Sequence, residues 1–503
     1  MPVVVPPPPT PIVFTGRSAY MIGIGGCGMS GLARLLKSHG AAVTGSDMSP
    51  SEATSALEAD GIAVGFDQST GWLPEACDMI VASAAIKPDH PQLMEAIRRG
   101  VPILTYAEAL GQCMLGRTAI AVAGTHGKST TTAMLGCALT DAGLDPSVIV
   151  GATSSQLTGG CLGDVGQPMG YRIGSPRIAS GPLAGKPGLL VAEACEYNRS
   201  FHHYRPLIAS ISSVEADHLD VYGSLDDVVK AFHEFALRIP PAERGGRLLI
   251  AHEGAHRREV TAGVPCHVET IGFSPQADWV VTYDSPARAV LLVHGRDTIA
   301  HWTMSIPGAH NALNAATAVA MGTMAGADPA RLAASLAAFR GIDRRMQLLG
   351  ERPVHSGHAT GVVRVFDDYG HHPTEVDVTL RALRESERPE DRGGRLICVF
   401  QPHQHSRTRH LLDEFAASFS QADVVIVPHI YFVRDSQEEK HKVTAGDLVD
   451  RLRHRGIRAM HLYPFEAIIE QLENLCRPGD VLVAMGAGDV WKVAKGFLAS
   501  RKG

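Results

Sequence analysis

The 503-residue chain has no C-x-x-C pair, no excess of basic residues and no apolar run long enough to span a bilayer. Each absence removes a class of function. The nine cysteines (Cys27, Cys77, Cys113, Cys137, Cys161, Cys195, Cys266, Cys398 and Cys476) are scattered and odd in number, which predicts reduced thiols in a cytoplasmic protein rather than a disulfide frame or a zinc site. A formal net charge of -6 gives no general attraction for nucleic acid or an anionic membrane, so neither is expected as a partner. The opening MPVVVPPPPTP lacks a basic segment, and its prolines oppose a helical apolar one. Residues 1–17 therefore read as a disordered tail, not a signal peptide.

What is present is a set of glycine turns at the ends of apolar strands. The most informative runs over residues 119–132, AIAVAGTHGKSTTT, where five small apolar residues lead into Gly124, Thr125, His126, Gly127, Lys128, Ser129 and Thr130. A buried strand that turns on glycines into a helix start offers several free backbone N–H groups at one point, an anion site suited to phosphate. Lys128 adds a mobile charge for the outer phosphates, and the Ser129 hydroxyl is placed to bind a Mg2+ ion shared with them. The usual phosphate-loop spacing requires glycine at position 122, where this chain has Val122. The loop is a variant.

The length predicts two to four domains. From residue 19 a strand, a glycine turn, a helix over 29–38 and a second strand ending at Asp47 include Gly23, Gly25 and Gly28 as G-x-G-x-x-G. Asp47 lies 19 residues beyond Gly28, the arrangement of a dinucleotide site with an acid for a ribose hydroxyl. Strands over 79–82 and 101–104 complete a first α/β domain. After the phosphate loop, residues 154–186 are rich in Gly, Ser and Pro and read as a long surface loop. Buried parallel strands over 188–195 and 207–214 end in Glu193 and Glu196, and in Glu215, Asp217 and His218. Ligands collect at the carboxyl ends of strands in doubly wound sheets, so these groups suit a metal site beside Ser129. Residues 247–306 predict a small antiparallel sheet edge, and His310, Asn311 and Asn314 open the next helix. The two asparagines share a face and can cap that helix or read a base edge. A third α/β domain places Asp367 to Pro373 and Gln401 to Arg409 after its strands, where His, Arg and Asp suit a zwitterionic or anionic small molecule.

Taken together, G-I-G-G-x-G-M-S-G at 23–31, G-T-H-G-K-S-T-T at 124–131, E-A-D-H-L-D at 215–220, G-A-H-N-A-L-N-A at 308–315, D-D-Y-G-H-H-P-T-E at 367–375 and F-Q-P-H-Q-H-S-R-T-R at 400–409 resemble the Mur ligases, in order from about residue 18 to the end. That resemblance implies a Rossmann-like domain over 18–116 for a UDP-sugar, a P-loop ATPase-like domain over 117–341 and a Rossmann-like domain over 342–503. It implies ATP-dependent joining of L-alanine to the carboxylate of UDP-N-acetylmuramate through an acyl phosphate, in peptidoglycan synthesis in the cytoplasm, by a monomer or homodimer. ATP would lie on Gly124 to Thr130, with Asn311 and Asn314 at the adenine and Arg345 and Asp368 reaching it from the third domain. Two Mg2+ ions are implied, one on Ser129 and Glu193 and one at His218. Gly23, Gly25, Gly26, Gly28, Asp47 and Ser83 would take the UDP part, while Tyr369, His371, Arg407 and Arg409 would face the amino acid and the muramoyl carboxylate. Lys128, Glu193, His218, His371 and Arg409 are the candidate catalytic residues. The segment E-A-C-E-Y-N-R-S-F at 193–201 departs from the E-A-D-E-S-D-x-S-F of many members and leaves open which acid supplements Glu193. A ligase that reattaches a recovered tripeptide to the same nucleotide sugar, and a nucleotide-switched regulator, are the alternatives.

Overall fold

In the computed structural model, which describes residues 9–356, 359–433 and 435–500, alternating apolar strands and helices build three sheets. The first holds β1 (Ser18–Ile22), β2 (Ala42–Ser46), β3 (Val64–Gly65), β4 (Met79–Ala82) and β5 (Ile103–Thr105), all parallel, in the order β3-β2-β1-β4-β5. Strand order reverses on either side of β1, so the glycine turn after it opens into the crevice where ligands bind such sheets.

The central sheet holds β6 (Thr118–Ala123), β7 (Ser147–Ser154), β8 (Met169–Arg172), β9 (Leu189–Glu193), β10 (Ile208–Ile211), β11 (Arg247–Ala251), β12 (His267–Gly272), β13 (Trp279–Asp284), β14 (Ala289–His294) and β15 (Asp297–Thr303). Their order is β15-β14-β13-β12-β11-β10-β6-β9-β7-β8. All six residues of β6 are buried, as an apolar strand covered on both faces requires. The helix Lys128–Asp141 that follows is buried continuously from Thr130 to Leu139, which explains its lack of a polar face. It packs against the alanine-rich helix Ala309–Met324. The antiparallel edge expected over 247–306 is confined to β13, β14 and β15; β11 and β12 continue the parallel core.

The third sheet holds β16 (Gln347–Ser356), β17 (Ala359–Asp368), β18 (Leu396–Phe400), β19 (Val424–Val427), β20 (Arg458–His461) and β21 (Val481–Met485), ordered β16-β17-β21-β18-β19-β20. The antiparallel strand β16 is absent from the sequence reading because QLLGERPVHS breaks the apolar run with glycine, proline and charges. An edge strand tolerates these.

Two expectations need correction. Residues 154–186 are not a free loop: β8 pairs with β7, and this edge holds the first domain. The Arg34 guanidinium lies 4.3 Å from the Tyr171 ring centroid, and a Cβ on Gly31 would come within 2.8 Å of Tyr171 Cβ, so the helix Cys27–Ser38 approaches this edge closely only because Gly31 has none. The amino-terminal tail is shorter than 1–17. Phe14 is buried and the Ile12 N–H donates to Gln112 Oε1 at 2.8 Å, while residues 1–8 lie outside the described residues. Among the described residues no helix is long and apolar enough to cross a membrane.

Candidate active site between the second and third domains

After β6 the chain turns at Gly124 (φ +130°) and Gly127 (φ +79°) into the helix Lys128–Asp141, which starts without a side-chain cap. A Cβ on Gly127 would lie 2.5 Å from Asn314 Oδ1, so the loop is seated directly on the helix Ala309–Met324. Thr125 to Thr130 line a cleft of about 310 Å³ together with Glu193, Asn311, Asn314, Arg345 and Asp368. The residues expected at the nucleotide, Gly124 excepted, therefore share one cavity. Lys128 folds back: its Nζ donates to Gly124 O at 2.6 Å and Thr125 O at 3.0 Å and lies 2.9 Å from Glu196 Oε2. Burial opposes the charge on Lys128, but Glu196 outweighs it and holds the ammonium above its ordinary pKa.

Parallel pairing of β6 with β9 sets Glu193 beside Val122, at the mouth of the loop. The Ser129 hydroxyl donates to Glu193 Oε2 at 2.9 Å, and the Gly151 N–H reaches the same oxygen at 2.9 Å. On the other side of β6, β10 leads to His218, held in a left-handed turn at φ +53°. His218 Nε2 lies 3.6 Å from Asp217 Oδ2 and 3.9 Å from Glu196 Oε1, and these three residues offer ligand atoms all within 4.8 Å of one another. A hydroxyl, carboxylates and one imidazole suit Mg2+ or Mn2+, so Ser129, Glu193 and His218 fit the metal expected of them. Glu196 joins that set. It is one of the strand-end groups whose position in the sequence suits a metal site beside Ser129.

The third domain closes the cleft from above. Arg345 Nη1 donates to Glu375 Oε1 at 3.0 Å, and the Asp368 carboxylate receives the Met346 and Gly370 N–H groups, each at 2.7 Å. Burial raises Asp368 to about 6 against the pull of Arg345. One oxygen thus braces the turn that carries Arg345 and the other the turn after β17. Asn311 likewise spends its amide on Pro307 O at 2.8 Å as a local cap, and Asn314 is the partner the loop packs on.

His126 lies between Glu215 Oε2 at 3.3 Å and Glu375 Oε1 at 3.7 Å, one carboxylate from each domain. Burial lowers its pKa, but hydrogen bonds and charge from both carboxylates lift it to about 9, while Glu215 is drawn down to about 2. Thr374 Oγ1 donates to Glu215 Oε2 at 2.7 Å, a second bridge between the domains. Glu375 and Thr374 were legible only as the tail of a motif; their partners come from another domain.

A neighbouring cavity of about 260 Å³ is lined by Asp217, His218, Arg407, Arg409, Asp435 and Glu439 among others. Arg407 donates to Asp217 across the domain gap, and Arg409 Nε pairs with Glu439 Oε2 at 3.0 Å. Tyr369 and His371 sit beside these cavities but outside the lining of either. Burial lowers His371 to about 4, and its Nδ1 lies 3.0 Å from Tyr369 O. With Nδ1 turned to that carbonyl, the neutral ring keeps Nε2 as its accepting nitrogen.

In the first domain Gly23 (φ +77°) faces Ser83, whose Cβ a Cβ on Gly23 would meet at 3.0 Å, and the Gly25 N–H donates to Asp47 Oδ2 at 2.7 Å. Gly26 caps the helix Cys27–Ser38 with backbone alone, and Gly28 lies against the Tyr106 hydroxyl. The turn, Asp47 and Ser83 are brought together, though one Asp47 oxygen already serves the turn. Cys27 Sγ is 3.7 Å from Val150 O, next to the Gly151 that holds Glu193, so this first-domain turn faces the candidate metal ligands.

Three family models match the chain in order: "Mur ligase family, catalytic domain" over residues 18–118, "Mur ligase middle domain" over 122–322 and "Mur ligase, glutamate ligase domain" over 344–488. A UDP-N-acetylmuramate--L-alanine ligase of Kineococcus radiotolerans is 40% identical over 487 residues, covering 95% of each chain. One of Agathobacter rectalis is 36% identical over 484 residues, covering 95% of this chain and 97% of its own. Among solved structures, a UDP-N-acetylmuramate-alanine ligase of Thermotoga maritima shares the fold with a TM-score of 0.72 at 24% identity, covering 95% of this chain and 98% of its own. A murein peptide ligase of Psychrobacter arcticus matches with a TM-score of 0.67 at 26% identity over 96% of this chain and 98% of its own. With its phosphate loop, paired acidic strand ends and closing third domain in this order, the chain belongs to the Mur ligase family.

Proposed function

We propose that the protein joins L-alanine to the lactyl carboxylate of UDP-N-acetylmuramate, converting ATP to ADP and phosphate, as a cytoplasmic step of peptidoglycan synthesis. The observation that carries this reading is the meeting of the Lys128 loop, the Glu193 and His218 strand ends and the Arg407 arm around adjoining cavities, in a chain 40% identical to a relative named for that reaction.

A carboxylate is a poor electrophile, so the γ-phosphoryl group of ATP is first transferred to one of its oxygens, giving an acyl phosphate and ADP. The alanine amine then attacks the acyl carbon, and the tetrahedral intermediate expels phosphate as the amide forms. Phosphates bind on the amides of Gly124 to Thr130 at the helix start, and Lys128 offsets the charge that opposes one anion attacking another. Ser129 and Glu193 would hold one Mg2+ and His218 a second. When bound, these ions neutralise charge at the transferring group. Arg407 and Arg409 would orient the muramoyl carboxylate and the carboxylate of the amino acid from the adjoining cavity. Thr374, bonded to Glu215, and Glu375, beside His126, hold the third domain over the cleft, which excludes the water that would hydrolyse an acyl phosphate. Gly23 to Gly28, Asp47 and Ser83 would take the UDP part.

Phosphate release from ATP, measured with UDP-N-acetylmuramate and a panel of amino acids, tests the reading. Release that requires both UDP-N-acetylmuramate and L-alanine supports it. Release independent of both, or a requirement for a tripeptide in place of alanine, overturns it.

A further inference from the structure

Among the described residues, three carboxylates surround Lys128 and His218, and two of them are already engaged. Glu193 receives Ser129 Oγ and the Gly151 N–H, and Asp217 receives the Arg407 guanidinium. Glu196 is the remaining one, 2% exposed, and it is held by a cation that the reaction needs elsewhere. Lys128 Nζ points at the carbonyls of Gly124 and Thr125, on the opposite side of the peptides from the amides that take phosphate. When phosphates draw Lys128 out, a buried carboxylate is left without its counter-ion, a state that costs several kcal/mol unless another cation arrives.

His218 supplies the place for that cation. Its Nε2 is 3.9 Å from Glu196 Oε1. Two ligands of an octahedral Mg2+ at about 2.1 Å stand roughly 3 Å apart, so a movement of about 1 Å brings the pair to ligating distance. The backbone around Glu196 is fixed for this position: the Tyr222 hydroxyl and the Arg199 N–H both donate to Glu196 O, and Asn198 and Arg199 occupy left-handed conformations at φ +51° and +55°. Two consecutive non-glycine residues in that region are kept only where the surroundings demand it.

We propose that Glu196 is the exchange point between Lys128 and the metal ion at His218: it parks the lysine in the nucleotide-free protein and becomes a carboxylate ligand of that ion once phosphates have taken the lysine away. This rests on the ligase reading for the presence of the metal and deepens it by naming a further ligand. Loading of the second metal is then coupled to arrival of the nucleotide, and the chain does not close a metal site over an empty loop.

The test is Mn2+ binding to the full chain, followed by electron paramagnetic resonance of the free ion, with and without ADP. Lys128→Met frees Glu196, so the nucleotide-free variant is expected to bind Mn2+ at least fivefold more tightly than wild type, with the difference shrinking when ADP is present. His218→Ala added to Lys128→Met should abolish the gain. Lys128→Met/Glu196→Gln removes both charges of the pair together, so the fold is spared an unpaired buried charge, and it should also lack the gain. Unchanged Mn2+ affinity in Lys128→Met overturns the proposal, as does a gain that survives in the Glu196→Gln double variant. Failure of the ligase reading would appear separately, as absent phosphate release by wild type, which these titrations do not involve.

Discussion

Arg407, on the third domain, donates to Asp217, the residue before His218 at the end of the central sheet, with both side chains less than a tenth exposed. The contact ties the arm that would orient substrate to the strand end that would hold metal. Arg407→Ala leaves Asp217 buried without its partner, a change that costs about 3 kcal/mol. Chemical denaturation should show a loss of that order, and kcat/KM should fall more than tenfold. A stability within 0.5 kcal/mol of wild type, the range of an exposed pair, would remove the contact from the account.

Gly127 has room for no side chain, because its φ is +79° and a Cβ would lie 2.5 Å from Asn314 Oδ1. Gly127→Ala should therefore push the loop off the helix Ala309–Met324 and weaken ATP binding by about tenfold or more, with a smaller effect on the first domain's ligand. Isothermal titration with ATP and with UDP-N-acetylmuramate separates the two. Equal losses for both ligands would point to general unfolding instead.

His126 carries a pH dependence of defined sign. Its folded pKa of about 9 lies above the ordinary 6.5, so the protonated ring stabilises the folded protein fully below about pH 6.5, and that contribution is lost as pH rises through 9. The shift corresponds to a few kcal/mol at most. Since Glu215 and Glu375 come from different domains, the melting temperature of wild type should fall between pH 7 and 10 more steeply than that of His126→Asn. Parallel curves for the two proteins would contradict the bridge.

Much of this site is legible in the sequence, because strand ends and loop spacing are local. The strand over 79–82, the helix opening at His310 and the phosphate loop stand where apolar periodicity and glycine put them. What escapes is pairing across distance. Lys128 and Glu196 are 68 residues apart, and no spacing rule joins them. The same holds for His126 between Glu215 and Glu375. The edge strand β8 hides inside a Gly-rich segment because pairing with β7, and packing of Tyr171 on Arg34, supply the order that composition withholds. Asp368 and Asn311 show the converse: motif residues that suit a ligand also serve the backbone beside them.

Arg409 is more than a third exposed and bonded to Glu439, so its role is one of contact rather than support. Arg409→Ala should leave stability within about 0.5 kcal/mol, as for other surface pairs, and raise KM for UDP-N-acetylmuramate or the amino acid several-fold. Steady-state kinetics with each substrate varied in turn decides this. Unchanged KM for both would place Arg409 outside the site.

Phosphoryl transfer to the muramoyl carboxylate within this cleft is the step on which the proposed reaction depends. The most direct measurement uses UDP-N-acetylmuramate labelled with 18O in its lactyl carboxylate, with L-alanine and ATP, and reads the released phosphate by mass spectrometry. An acyl phosphate passes one carboxylate oxygen to phosphate, so the account predicts one 18O in each phosphate formed from doubly labelled carboxylate. Amide formation with unlabelled phosphate would contradict it.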